Sequence, residues 1–450
     1  MSETGAGTVI WPVRTPGLGN TTYVVAANGM GILVDPQRDI DRFLDVFDDL
    51  GAQPRWVVET HIHNDYVSGG LQAARSTGAE LLIPSSAAPV FAHTPAFHYE
   101  DHTAHGVRLR PIHTPGHTPE HTSYLLVVDD REVALFSGGS LLVGSAGRSD
   151  LLGRERADTL ARLQFRSLRR LAGLPGDVEL LPTHGAGSFC TVVATGGHTS
   201  TIGIEKATNP ALQQEDEDDF VVSQLSDLQP YPAYYGHMGS INLTGGGPMP
   251  DLDIPRLEPD DIAGRIEGVT VVDIRGRHEF ARGHIPGSLG IEMRHDFATW
   301  VGWIADIGRP LVLVAEPGQD TSEAVIQLAR IGYDTVEGVM LGLGPWKRAG
   351  YELSSYRTAT LSEFSEAVRG GRPILDVRAP SEFQSGHIEG SRHRYVPDLL
   401  DGLGDIEAEH VWVTCGSGYR ATIAAGLLER RGVKPVVLAS GGVPQLMGIQ

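Results

Sequence analysis

Two histidines and an aspartate stand close together in the segment THIHNDY, residues 60–66. One residue separates His61 from His63, and Asp65 comes two positions after His63. Imidazole nitrogens and carboxylate oxygens are common ligands of divalent transition metals in proteins. The apolar run RWVV precedes the segment, so the pattern predicts a metal-binding turn just after a strand.

Further histidines occupy similar places later in the N-terminal part. His117 lies in TPGHTPEH, and His184 follows another apolar run in LLPTHG. Residues just past strand ends collect along one rim of a sheet, where loops converge on a ligand. We therefore expect His61, His63 and His117 to hold one divalent ion through neutral imidazoles, with an open position for a substrate. The residues expected to support this ion or a second one are Asp65, Tyr66 and His184.

The elements that must position these side chains alternate between strand and helix patterns. TTYVVAA with GMGILVDP predicts a hairpin, and SYLLVVDDREVALFSGG predicts a second one. DIDRFLDVFDDLG and ADTLARLQFRSLRRLAGL have the apolar spacing of helices. RWVVETH predicts a strand ending on His61. These patterns predict an α/β domain over residues 1–250, which closes with a helical extension and a linker rich in glycine and proline.

The C-terminal part contains an internal repeat. The segment VTVVDIRGRHEFARGHIPGS (269–288) matches RPILDVRAPSEFQSGHIEGS (372–391), with Asp273 aligned to Asp376 at an offset of 103 residues. Each copy alternates strand and helix patterns, which predicts two small α/β domains at 257–352 and 358–450.

A cysteine in the second copy has the setting of a nucleophile. TCGSGYRA follows an apolar strand pattern and opens a helix pattern. Inward-pointing backbone N–H groups and a helix N-terminus stabilise a thiolate, so we expect Cys415 to be nucleophilic. Arg420 is expected to close the rim and pair with an anionic sulfur donor. The loop residues between them are Gly416, Ser417, Gly418 and Tyr419.

With the segment DVRAPSEFQSGHIEGS, the second copy resembles a rhodanese (sulfurtransferase) domain. The resemblance implies that Cys415 attacks a sulfane sulfur and carries it as a persulfide, with thiosulfate or sulfite as further small partners. The first copy departs from this pattern, because Ala315 and Asp320 stand where the second has Cys415 and Arg420. We therefore predict that the first copy is inactive and has a structural or docking role.

Four N-terminal segments in this order resemble the metallo-β-lactamase fold: THIHNDY, TPGHTPEH, LFSGGSLLVGSAGRSDL and LLPTHG. With EKATNPALQ, they are similar to persulfide dioxygenases of the glyoxalase II-like branch that are fused to rhodanese domains. The resemblance implies an αββα sandwich followed by two rhodanese-like α/β domains. It also implies one Fe²⁺, with Zn²⁺ as the alternative, held by two histidines and an aspartate.

The sequence departs from the known patterns of this fold at two positions. Tyr66 replaces a histidine used by two-metal hydrolases, and Gly139 replaces the ligand aspartate. The implied ligand positions His61, His117 and Gly139 thus keep only two ligands. Either His63 becomes the third ligand or the metal activity is lost. Asp150, in GRSD, is expected to be a structural acid.

The leading hypothesis is a persulfide dioxygenase-like protein with a sulfurtransferase domain. It would oxidise a persulfide of glutathione or another low-molecular-weight thiol, while Cys415 accepts or supplies sulfane sulfur. The alternatives are a sulfurtransferase with an impaired N-terminal domain, a sulfur carrier without turnover, and a glyoxalase II-type hydrolase.

Composition limits the other function classes. The chain has 450 residues, 41% of them hydrophobic, and a formal net charge of −20, which argues against nucleic-acid or anionic membrane partners. We found no long apolar run and no leader pattern, so no membrane span or secretion is expected. Two cysteines, Cys190 and Cys415, cannot form a disulfide framework, which favours the cytoplasm. A homo-oligomer is compatible with the sequence.

Overall fold

The computed structural model describes residues 2–4, 7–191, 197–226, 228–404, 406 and 409–448. The chain divides into two compact units. The first comprises Met1–Pro250 with Ala329–Gly332, and the second comprises Asp251–Leu328 with Tyr333–Gln450. Across these described segments, no helix has both the length and the apolar character needed to cross a lipid bilayer.

Two sheets form the centre of the first unit. The first sheet has seven strands in chain order: Ser2–Thr4, Thr8–Thr15, Asn20–Ala27, Met30–Val34, Gln53–Val58, Glu80–Pro84 and Thr94–Ala96. The second has six, in the order Ser200–Thr201, Glu179–Pro182, Arg131–Gly138, Thr122–Val128, Val107–His113 and His102–Ala104. Buried side chains of both sheets, such as Trp56, Tyr124 and Phe136, share one apolar core. Burying this surface is the main force that holds the two sheets together.

Helices cover the outer face of each sheet. Asp41–Leu50 packs on the first sheet through Phe43 and Phe47, and Gly70–Thr77 packs on it through Ala73 and Ala74. Arg154–Leu171 and Glu217–Ser226 cover the second sheet. The predicted αββα sandwich is therefore confirmed. The other elements of this unit are the helices Ile202–Thr208, Pro210–Gln213 and Tyr235–Thr244 and the short hairpin Leu141–Leu142 with Ser145–Ala146.

Both predicted hairpins form. Asn20–Ala27 pairs with Met30–Val34, and Thr122–Val128 pairs with Arg131–Gly138. One expectation needs correction, because the strand Gln53–Val58 stops before His61. The backbone N–H of Thr60 donates to the Asp35 carboxylate at 2.7 Å instead of continuing the ladder. The turn that carries His61 therefore begins earlier than the apolar pattern indicated.

The second unit contains two parallel sheets. One has the strand order Leu289–Gly290, Thr270–Asp273, Leu311–Ala315 and Val336–Leu341. The other has the order Arg357–Thr358, Lys434–Val437, His410–Thr414, Ile374–Asp376 and Arg392–His393. The predicted pair of α/β repeats is confirmed. Helices of the first repeat are Pro259–Ala263, Arg277–Arg282, Phe297–Ile304, Ser322–Arg330 and Gly344–Arg348; those of the second are Leu361–Arg369, Pro380–Ser385, the 3₁₀ helix Val396–Leu400, Tyr419–Glu429 and Val443–Leu446.

Candidate functional site

Three histidines from three loops bring one ring nitrogen each together in the first unit. His61, His117 and His184 each follow the end of a strand of the sandwich. The three side chains are buried, and the three candidate ligand atoms lie within 4.8 Å of one another. Nε2 of His61 and Nε2 of His184 are 3.3 Å apart.

A hydrogen-bond chain fixes the proton on His61. The Thr60 hydroxyl donates to Oδ2 of Asp35 at 2.7 Å, so its oxygen is free to accept. Nδ1 of His61 lies 2.9 Å from that oxygen and therefore carries the ring proton. The other nitrogen, Nε2, is left as a lone pair that faces the other histidines.

The other two histidines are oriented in the same way. Nδ1 of His117 lies 2.8 Å from the carbonyl oxygen of Arg148, which can only accept. Nδ1 of His184 lies 3.0 Å from the amide oxygen of Asn20. Each ring thus donates outward through Nδ1 and presents Nε2 inward, and Nε2 of His117 has no hydrogen-bond partner among the described residues.

Three buried acceptor nitrogens facing one another are suited to a cation. Burial lowers the pKa of His117 and of His184 to about 3 each, and it holds the pKa of His61 well below its usual range. Neutral imidazoles with outward hydrogen bonds are the usual form of histidine ligands. The residues present therefore fit a divalent metal ion held by His61, His117 and His184.

His63, expected from the sequence to be a ligand, is held by carboxylates. Its Nε2 lies 3.3 Å from Oδ1 of Asp35 and 3.2 Å from Oε2 of Glu59, and its ring stacks on Tyr66 at 4.3 Å. Burial disfavours its charge, but the two carboxylates prevail and raise the pKa of His63 to about 10. A protonated imidazole has no lone pair for a metal. The set His61, His63 and His117 stays a prediction, and the geometry favours His184 as the third ligand.

Asp65 and Tyr66 hold neighbouring groups in place. Asp65 accepts a hydrogen bond from the amide of Asn20 at 2.8 Å, and its carboxylate lies 3.4 Å from Nδ1 of His184. The Tyr66 hydroxyl donates to the backbone oxygen of Asp35 at 3.1 Å. Two other groups of candidate ligand atoms meet the same distance limit: Asp35, His61 and His63, and His63, Asp65 and His184.

Asp35 and His121 are residues of this centre that sequence reasoning missed. Asp35 accepts hydrogen bonds from Thr60 and Thr183 and so joins two of the loops. His121 uses both nitrogens, because Nδ1 lies 2.8 Å from the Thr114 hydroxyl and Nε2 accepts from the Gly139 N–H at 3.0 Å. The only sequence signals were their positions in VDPQRD and TPGHTPEH.

Arg148, in the GRSD motif, holds the His117 ring through a hydrogen bond. Of this motif, only Asp150 was singled out from the sequence. The guanidinium of Arg148 pairs with Asp150 at 2.7 and 2.8 Å, while its backbone oxygen accepts from His117. Arg148 is almost fully buried. Asp150 acts here through Arg148, which agrees with the expected structural role.

Gly139 leaves room for the His117 ring. A Cβ atom added at residue 139 would lie 2.2 Å from Cδ2 and 2.6 Å from Nε2 of His117. These distances are far below van der Waals contact. The imidazole therefore occupies the space that any side chain at position 139 would need.

We predict that Gly139→Asp does not simply restore a carboxylate ligand. The new side chain should displace His117, weaken the binding of added ferrous ion by about tenfold or more, and lower the free energy of unfolding by about 1–3 kcal/mol. Chelator competition and urea unfolding measure the two effects. Gly139→Ala is the matched control because it adds only the Cβ atom, and tighter iron binding by Gly139→Asp than by the wild type would contradict the prediction.

The Cys415 loop in the second unit has the arrangement that the sequence predicted. It joins the strand His410–Thr414 to the helix Tyr419–Glu429. The Gly418 N–H donates to Sγ of Cys415 at 3.1 Å. Gly418 has a φ of 92°, and a Cβ atom there would lie 2.2 Å from the oxygen of Ala439, so this turn requires glycine. The N–H contact and the helix N-terminus both stabilise a thiolate.

Arg420 lies next to this loop but is engaged by a carboxylate. Its guanidinium pairs with both oxygens of Glu382, and the Nη2–Oε1 distance is 2.7 Å. Part of the expectation therefore needs correction, because the partner of Arg420 in the structure is Glu382 rather than an open position for an anionic donor.

The equivalent loop of the first repeat is filled by its own side chains. Ala315 provides no thiol. The amide oxygen of Gln319 accepts from the Glu316 N–H at 2.9 Å, and Asp320 accepts from the Ser322 N–H at 2.9 Å. Two backbone N–H groups of this loop region, those of Glu316 and Ser322, are thus already used.

The first repeat also contacts the Cys415 loop. Nη1 of Arg277 donates to the backbone oxygen of Ser417 at 3.0 Å. The Tyr419 hydroxyl donates to the oxygen of Glu292 at 3.3 Å, and the guanidinium of Arg294 lies 4.5 Å from the Tyr419 ring centre. A domain without a nucleophile of its own therefore forms part of the surroundings of the loop.

Comparison with known proteins agrees with this architecture. The metallo-beta-lactamase superfamily model matches residues 14–184, and the rhodanese-like domain model matches residues 258–349 and 360–447. A crystal structure of a metallo-beta-lactamase from Staphylococcus aureus has 27% sequence identity and a TM-score of 0.65, and the match covers 74% of this chain and 99% of that one.

Curated relatives match the two parts separately. A probable metallo-hydrolase of Burkholderia pseudomallei is 30% identical over 204 residues, which is 39% of this chain and 67% of the relative. A thiosulfate sulfurtransferase of Stutzerimonas stutzeri is 37% identical over 82 residues, which is 18% of this chain and 75% of the relative. The chain therefore belongs to the metallo-beta-lactamase superfamily and carries two rhodanese-like domains after its metallo-beta-lactamase domain.

Proposed function

We propose that this protein oxidises a low-molecular-weight thiol persulfide, with glutathione persulfide as the reference substrate, and transfers sulfane sulfur through Cys415. The proposal rests first on the three inward-facing nitrogens of His61, His117 and His184. Its second support is the thiolate loop in the same chain. Fusion raises the effective concentration of one site near the other, which suits a reactive persulfide.

The proposed reaction balances without a further co-reactant. One persulfide RSSH, one dioxygen and one water give the thiol RSH, sulfite and two protons. The terminal sulfur is oxidised, the S–S bond breaks, and dioxygen is reduced. When bound, a ferrous ion supplies the electron exchange with dioxygen that no amino-acid side chain offers.

The chain's own residues hold and shield this centre. Each of the three imidazoles donates a hydrogen bond outward from Nδ1, to Thr60, Arg148 or Asn20. The inward nitrogens therefore stay unprotonated. Burial of the rings keeps bulk water away from the ligand nitrogens. Water exclusion strengthens every charge interaction at the site.

The proposal predicts oxygen uptake by the iron-loaded protein when glutathione persulfide is added. An oxygen electrode and a sulfite assay should give equal amounts of oxygen consumed and sulfite formed. Cys415→Ala should retain the uptake, because the oxidation does not use this thiol. Iron-loaded protein that consumes no oxygen with the persulfide would eliminate the dioxygenase activity.

The second candidate is a sulfurtransferase whose N-terminal domain has no turnover. Gly139 favours it, because this residue offers no carboxylate where the family has its ligand aspartate. This candidate predicts thiocyanate formation from a sulfane donor and cyanide that is indifferent to chelators. A sulfur carrier would instead show a persulfide on Cys415 without multiple turnovers.

A glyoxalase II-type hydrolase has less support, although the Burkholderia relative is called a probable metallo-hydrolase. Tyr66 stands where the two-metal hydrolases have a histidine, and its hydroxyl donates a hydrogen bond to the backbone oxygen of Asp35. Both cysteines are free thiols, which fits a reducing compartment such as the cytoplasm.

A further inference from the structure

Beside the Cys415 loop, the carboxylate of Glu382 is paired with Arg420, the cation that a sulfane donor would otherwise contact. Glu382 binds Arg420 through both carboxylate oxygens. The side chains of Arg420 and Glu382 are 20% and 38% exposed. Glu382 also accepts a hydrogen bond from the Ala379 N–H at 3.1 Å, at the start of the helix Pro380–Ser385. The helix therefore holds this carboxylate beside Arg420.

Two arginines of the first rhodanese-like domain contact the loop, and each forms an ion pair with a carboxylate. Nε of Arg277 lies 2.6 Å from Oε2 of Glu292, and Nε of Arg294 lies 3.4 Å from Oδ1 of Asp296. Nη1 of Arg277 donates to the backbone oxygen of Ser417. None of these arginines offers an unpaired positive charge to an incoming donor.

The direct hydrogen bond to the Cys415 sulfur comes from the backbone. The Gly418 N–H contacts Sγ at 3.1 Å, and the 11-residue helix Tyr419–Glu429 begins just behind it. Each contributes a partial positive charge. Such a site can hold one negative charge on sulfur, but it is poorly suited to a second and third charge.

Sulfane donors differ in the charge that they bring to this site. Thiosulfate is a dianion, and its reaction with the thiolate releases sulfite, another dianion. The reacting –SSH group of a protonated persulfide is neutral, whatever charge R carries elsewhere: the thiolate attacks its terminal sulfur, the donor S–S bond breaks, Cys415–S–SH forms, and the thiol leaves as RS⁻. This step needs no oxidant or reductant, and the reacting sulfur atoms together carry one negative charge throughout.

We infer that Glu382 makes the Cys415 site select thiol persulfides over thiosulfate as sulfur donors. The carboxylate cancels the charge of Arg420 and repels a dianion near the loop. Glu382 is therefore a specificity-determining residue. This inference rests on the proposed transfer of sulfane sulfur through Cys415.

Donor kinetics in the full-length protein test the inference. With cyanide as the acceptor and thiocyanate as the readout, the wild type should have a higher kcat/KM for glutathione persulfide than for thiosulfate. Glu382→Gln keeps the size and an amide oxygen for the Ala379 N–H but removes the charge. It should raise kcat/KM for thiosulfate by about tenfold, mainly through KM, and added salt should reduce this gain. The persulfide value should change by less than about twofold.

The internal repeat provides a matched control. Glu279 is the counterpart of Glu382 in the first rhodanese-like domain, and its ion pair is with Arg282 rather than with Arg420. Glu279→Gln should leave both donor values unchanged. The donor preference of the wild type tests the inference even if Glu382→Gln fails to fold.

Two outcomes would overturn the inference while the proposed function stands: a wild type that prefers thiosulfate, or a folded Glu382→Gln whose thiosulfate kcat/KM is unchanged or lower. If the wild type makes no thiocyanate from either donor and mass spectrometry finds no persulfide on Cys415, the proposed transfer fails and the inference fails with it.

Discussion

Sulfur transfer to cyanide should fall to background when Cys415 is replaced by alanine. Cys415 is the thiol at the N-terminus of the helix Tyr419–Glu429, and a backbone N–H is directed at its sulfur. Removing the sulfur removes the atom that would carry the persulfide, so the backbone donors have nothing to stabilise. The measurement is the rate of thiocyanate formation with glutathione persulfide as the donor.

The chain offers a matched control in its other cysteine. Cys190 is buried in the first unit, and burial holds the pKa of its thiol well above the usual range. Cys190→Ala should keep full transfer activity. Substantial multiple-turnover transfer in Cys415→Ala would place the nucleophile elsewhere and contradict this part of the account.

Replacing His184 with alanine should weaken iron binding at least ~100-fold. The reason is the position of its Nε2, 3.3 Å from Nε2 of His61, with its own proton directed at Asn20. Without this ring, His61 and His117 are left as two ligands. The measurement is the iron dissociation constant from competition with a chromophoric chelator.

His121→Gln is the control for this variant. His121 is as deeply buried and stacks against His61 at 5.1 Å, but both of its nitrogens are used in hydrogen bonds. The His121→Gln variant should lower stability and reduce iron affinity much less than His184→Ala does. If His63→Ala loses iron and His184→Ala does not, the ligand set predicted from the sequence is correct.

The sequence predicted features that depend on neighbouring residues. Apolar spacing located both hairpins of the sandwich and the strands that lead to the histidines, because side-chain period and burial are coupled within one element. The Cys415 loop was also predictable, since its strand, glycine turn and helix are consecutive in the chain. The repeat identified Ala315 and Asp320 as replacements without any structure.

Features that depend on distant residues were beyond this reasoning. The strand-end pattern placed His184 on the same rim as His61, but the two are 123 residues apart, so only the folded sandwich shows that their nitrogens meet. The histidine spacing gave no reason to expect Asp35 and Glu59 beside His63, and these carboxylates raise the pKa of that ring. Glu382 is 38 residues from Arg420, and its pairing likewise depends on packing.

The central claim is that histidine side chains alone hold a metal ion in this protein, and elemental analysis of freshly isolated protein tests it most directly. We expect one equivalent of iron or zinc per chain, or uptake of one equivalent when ferrous or zinc salt is supplied, with loss of that equivalent in His117→Ala. Folded wild-type protein that contains no metal and takes up neither ion would contradict the account.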